Sequence, residues 1–87
     1  MDYLVTYDLD ADIETIILDG KETRRIDAIY QQFRDLNFYH IAMTTWVFKS
    51  KASAEEIRES WFKTGFFIKD SRDNVRVVQV NLNNAAG

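Results

Sequence analysis

The stretch "VRVVQVNL", residues 75 to 82, carries apolar side chains on both of its alternating faces, which limits what the chain can build. Successive side chains of a strand point to opposite sides. Val75 and Val77 therefore project one way, and Val78, Val80 and Leu82 the other. "TWVFK" repeats the pattern, with Trp46 and Phe48 set against Val47. A sheet with one face on a core and one in water alternates apolar with polar residues more cleanly. A chain of 87 residues supplies one small core. It has no cysteine, so no disulfide can staple it, and small domains of this kind gain stability by burying surface in an oligomer. The expectation is a homodimer, with a second copy closing the open side of the sheet.

The remaining elements follow from periodicity and caps. Tyr3 to Leu9 reads as the first strand, with Tyr3, Val5, Tyr7 and Leu9 on one face and Leu4, Thr6 and Asp8 on the other. "ADIETIILDGK" fits either a short helical face or a strand entering an Asp-Gly turn. A helix is predicted from about Gly20 to Leu36, with Asp19 as N-cap and Glu22 three residues later. Ile26, Ile29, Tyr30, Phe33 and Leu36 would form its apolar face. Phe38 to Met43 and Thr45 to Lys49 read as two strands joined near Thr44, or as one bent strand. Ser53 and Glu56 make a capping box for a second helix carrying Ile57, Trp61 and Phe62, which ends at Gly65 or runs on through Phe67. "KDSRDN" is a polar turn before the last strand, and 83–87 a frayed tail after a single domain of residues 1–82. The order β-α-β-β-α-β predicts an α+β, ferredoxin-like sandwich, with two helices on one face of a four-stranded antiparallel sheet.

Composition narrows the function classes. Aromatics at 14% and a hydrophobic share of 46% argue against a disordered chain. A net charge of -3 lacks the excess of a dedicated nucleic-acid binder, although a local basic patch remains compatible with it. No apolar run approaches the roughly 20 residues that span a bilayer. "MDYLVTYD" has neither the basic region nor the apolar run of a signal peptide. A soluble cytoplasmic protein without membrane contact is expected.

The residues with chemical potential are few. Asp8, Asp10 and Asp12 offer the oxygen ligands that Mg²⁺ prefers, and across a two-fold axis two copies of Asp8 could share one ion. Their other reading is the solvated end of a strand that caps the next loop. A calcium loop is excluded, because the glycine required at its sixth position is Ile13 and the glutamate at its twelfth is Asp19. His40 is the sole histidine, readable as a general base or as a hydrogen-bonded sheet residue. No nucleophile motif and no phosphate-cradling glycine loop is present. Lys21, Arg24 and Arg25 fall in the first turn of the predicted helix, an unfavourable place for cations beside the helix dipole. Together with Arg72 and Arg76 they are the candidate contacts to RNA or DNA phosphates; solvated charge is the competing reading.

The run "YLVTYDL", a helix, "YHIAMTTWVFKS", a capped helix and a valine-rich last strand together resemble the small subunit of the CRISPR adaptation complex. Those proteins are ferredoxin-like and often described as CRISPR-associated endoribonucleases. The chain is more similar still to the prokaryotic and phage proteins labelled SinR-like, through Tyr3 to Leu9, Tyr39-His40 and Thr45-Trp46. The resemblance implies an aspartate ending strand one near the dimer axis, here Asp8. That aspartate would hold a divalent metal, Mg²⁺, for phosphodiester cleavage, while other members bridge DNA structurally. This sequence differs in its longer link after Asp10, its acidic charge and its short basic run. Two expectations result. One is a dimeric nucleic-acid-associated protein with Asp8 as catalytic residue; the other is a non-catalytic dimeric module of the phage-encoded kind that binds another protein through the open sheet or its edge.

Overall fold

The structure is a computed structural model that describes residues 1–81. Leu82 and the tail 83–87 lie outside the described residues. The elements are β1 (Asp2–Asp8), β2 (Thr15–Leu18), β3 (Lys21–Arg24), α1 (Arg25–Asp35), β4 (Tyr39–Ala42), β5 (Thr45–Lys49), α2 (Ala54–Thr64) and β6 (Asn74–Val80). Four strands form one antiparallel sheet in the order β4-β5-β1-β6, and β2 with β3 forms a separate hairpin.

β1 alternates as the sequence requires. Tyr3, Val5 and Tyr7 are buried, while Leu4 and Thr6 are half-buried on the opposite face. Both helices cover the first of these faces, because Ile29 and Phe33 of α1 and Ile57 and Trp61 of α2 join the β1 residues in one core with Trp46, Phe48, Phe67 and Val75. Phe33 lies at its centre, its ring 5.0 to 6.0 Å from those of Tyr7, Phe38, Trp46 and Trp61.

β4 and β5 are two strands rather than one bent strand. The chain turns at Met43 and Thr44, and a register shift between His40 and Ala42 makes a bulge on this edge. α2 follows the capping box closely. Ser53 Oγ accepts from the Glu56 amide at 3.2 Å, Glu56 accepts in return from the Ser53 amide at 3.4 Å, and Gly65 ends the helix at φ 86°. Ser53→Ala is expected to cost about 1 kcal/mol in urea denaturation. No loss would mean that the cap contributes nothing to the fold.

α1 corrects the expected start of the first helix. Asp19 is not its cap: Asp19 and Gly20 have φ of 50° and 77°, and they form the two-residue turn of the β2–β3 hairpin. Such turns need left-handed backbone at both central positions, which Asp-Gly tolerates well. The helix therefore begins at Arg25, after Arg24 as N-cap, with the Arg25 amide donating to Glu14 O at 2.8 Å. Its buried stripe is Ala28, Ile29 and Phe33; Ile26, Tyr30 and Leu36 stay partly exposed, so the stripe is narrower than the periodicity suggested. Among the described residues no helix is long and apolar enough to cross a membrane.

Candidate interaction surface

The uncovered side of the sheet is defined by register. Tyr39 pairs with Val47, Val47 with Leu4, and Leu4 with Val78, so these four side chains form one row across all four strands. Tyr39 is 71% exposed and Val78 51%, while Val47 between its neighbours falls to 8%. Ile41, 55% exposed, adds apolar surface along the bulged edge strand. One pair of residues towards the sheet end where β1 begins, Lys49, Asp2 and Val80 make a second row. Towards the other end Thr45, Thr6 and Arg76 make a third, followed by Asp8 beside Asn74. The face is thus an apolar band with charge at both ends, exposed at its two edge strands through Tyr39 and Val78.

The predicted site residues have very different surroundings. Asp8 is exposed at the end of β1, and no described residue donates a hydrogen bond to its carboxylate. With Thr6, Tyr7, Thr44, Asn74 and Arg76 it lines a shallow depression of about 340 Å³. Asp10 is engaged: it accepts from the amides of Arg72 at 3.1 Å and Asp12 at 3.0 Å, and from the Arg72 guanidinium at 3.2 Å. These bonds, those from the two amides foremost, hold its carboxyl below the usual carboxylate range despite the opposing effect of desolvation. Asp12 also pairs with Arg72. Asp10 and Asp12 thus pin the loop after β1 to the turn before β6.

Asp10 is thus paired with the Arg72 guanidinium, whereas Asp8 is not, and among the described residues no cluster of three or more acidic, histidine or cysteine side chains is placed to hold a metal.

The five candidate phosphate contacts do not act alike. Arg25 is a correction: it is only 1% exposed and cannot reach a nucleic acid. Its guanidinium pairs with Asp73 and donates to Ile13 O at 3.1 Å and Phe66 O at 3.2 Å, while its Nε has no partner among the described residues. Asp73 in turn accepts from the amides of Asp10 at 2.7 Å and Ile68 at 2.8 Å. The buried carboxylate is what makes a cation tolerable at the first residue of α1. Arg72 is spent on Asp10 and Asp12. Lys21 and Arg24 are exposed on β3, with Arg24 4.0 Å from Asp27, and Arg76 is exposed on the open face. His40 is a sheet histidine, stacked on Trp46 with centroids 4.1 Å apart and its Nε2 3.3 Å from Met43 O.

Sequence reasoning missed the Arg25–Asp73 pair, which bridges 48 positions. Its one local signal was an arginine set against a helix dipole. The chain matches no protein-family model and no curated protein. The functional reading therefore rests on the surface and the loop chemistry.

Proposed function

We propose that this chain is a self-associating binding module whose working surface is the open face of its sheet. The observation that carries this is the apolar row Tyr39, Val47, Leu4 and Val78, which spans every strand and is exposed at both edges. Exposed apolar bands of this kind mark interaction sites on soluble domains. The strand order and the placement of both helices on one face support a ferredoxin-like sandwich with a hairpin inserted before its first helix. In such a sandwich the second sheet face is free for a partner.

Val78→Lys places a charge on the exposed part of the row without touching the core. Light scattering coupled to size exclusion is expected to show a dimer for the parent chain and a monomer for this variant, with equal circular dichroism. Two identical masses would remove the open face from the reading.

One observation favours a second reading in which the module meets nucleic acid. Asp8, with free carboxylate oxygens, and Arg76 share the polar end of the same face. The resemblance to the CRISPR adaptation small subunit gives that reading its direction. Short RNA and DNA incubated with Mg²⁺ are expected to show the same background cleavage with the parent chain and with Asp8→Asn. Cleavage that requires both the metal and Asp8 would transfer the function from binding to phosphodiester chemistry.

A further inference from the structure

We infer that the partner on the open face is a second copy of this chain, seated with its two-fold axis parallel to the strands and with Lys49 of each copy against Asp2 of the partner subunit. This deepens the self-association reading and depends on it.

Aligned face-to-face packing of two identical sheets leaves two directions for an in-plane dyad, close to along the strands or close to across them. An axis along the strands keeps each row opposite itself and reverses the order of the strands. β4 then lies over β6 of the other copy, and β5 over β1. The apolar row is compatible with this reversal: Tyr39 meets Val78 of the partner subunit, and Val47 meets Leu4 of the partner subunit. The charged row is compatible as well. Lys49 lies on β5 and Asp2 directly opposite it on β1, so reversal sets each lysine over the other copy's aspartate, twice. The four charges then alternate in sign both within and between the sheets.

An axis across the strands gives no such match. Passed through the charged row, it sets Lys49 over Lys49 of the partner subunit and Asp2 over Asp2 of the partner subunit. Passed between the charged and apolar rows, it sets Lys49 over Val47 of the partner subunit and Asp2 over Leu4 of the partner subunit. Passed through the apolar row, it leaves Lys49 and Asp2 over threonines. Burying Lys49 and Asp2 against like charges or apolar groups is the more costly arrangement; the strand-parallel axis meets that cost only at the sheet edge, where Arg76 comes over Ala42 of the partner subunit.

A further feature supports the strand-parallel axis. Neither Lys49 nor Asp2 belongs to an ion pair among the described residues, so both head groups are available.

The test uses charge reversal on the full chain. Lys49→Glu alone opposes two pairs of acids across the dyad, and Asp2→Lys alone opposes two pairs of lysines. Each is expected to weaken the dimer by about tenfold or more at low salt. Mixed together, the two variants make both contacts attractive again, one with its native charges and one with the charges exchanged. Native mass spectrometry with one variant ¹⁵N-labelled is expected to find the heterodimer in excess over both homodimers. Circular dichroism of each variant checks folding, and Val78→Lys is the common control. If the parent chain dimerises and Val78→Lys does not, yet the mixture shows no heterodimer preference, this axis is wrong while the self-association reading stands. If each single reversal dimerises as the parent does, the axis is wrong again. A parent chain that stays monomeric overturns both.

Discussion

Asp73→Asn is expected to destabilise the protein by about 3–5 kcal/mol, because it leaves the Arg25 guanidinium buried without its counter-charge. Four segments converge on this pair: the loop after β1 through Ile13, the start of α1, the chain after α2 through Phe66, and the turn before β6. In a domain this small, each kcal/mol lowers the melting temperature by roughly 4–8 °C, so thermal denaturation would register the change without ambiguity. Arg25→Met should be damaging for the mirror reason, with a buried carboxylate left uncompensated. The double variant is expected to recover part of the loss, since it removes both charges together. Additive losses in the double variant would show that the two side chains act separately.

The same pair sets an acid limit on stability. Burial works to raise the Asp73 carboxyl, but the Arg25 guanidinium and the amides of Asp10 and Ile68 outweigh it, and the net shift is downward. A folded pKa below the unfolded value, about 3.9 for aspartate, means that the stabilisation is present above that value. It is lost as pH falls further, through the folded pKa. The gap between the parent chain and Asp73→Asn should therefore be constant near neutral pH and close on acidification. A gap that widens in acid would reverse the assigned sign.

Phe33→Ala is the second large expected effect, also about 3–5 kcal/mol. Phe33 is fully enclosed and its ring touches aromatic side chains from β1, β5 and α2 and from the segment before β4. Truncation would leave a cavity walled by rigid rings that cannot collapse into it. Chemical denaturation would measure it, and a loss below about 1 kcal/mol would mean that the core repacks around the gap.

How much of this could be seen in the chain depended on the range of the interactions. Strand β1, the β4–β5 pair and α2 follow from signals within a few residues: alternation in "YLVTYDL", the aromatic-rich run from Phe38, and the Ser53–Glu56 box. The hairpin was ambiguous because "TIILDGK" satisfies both a helical and a strand period over only seven residues; the left-handed pair Asp19-Gly20 decides it. The apolar second face was legible in the alternation of the last strand. Which residues of it lie opposite one another was not, since register belongs to partner strands distant in sequence.

The acidic loop shows the same limit more sharply. Asp10 and Asp12 have the spacing of metal ligands, and only the approach of Arg72, about 60 positions later, turns them into hydrogen-bond acceptors that fasten a loop. Arg25 belonged with its neighbours as a surface cation until Asp73 took it inside. In both cases a charge was visible locally while its partner was not.

The most direct test of the open face is sedimentation equilibrium of the unmodified chain over a wide concentration range. The mass should rise from that of the 10.2 kDa protomer and level off at twice that value. A mass that stays at one protomer at every concentration would contradict self-association through this face.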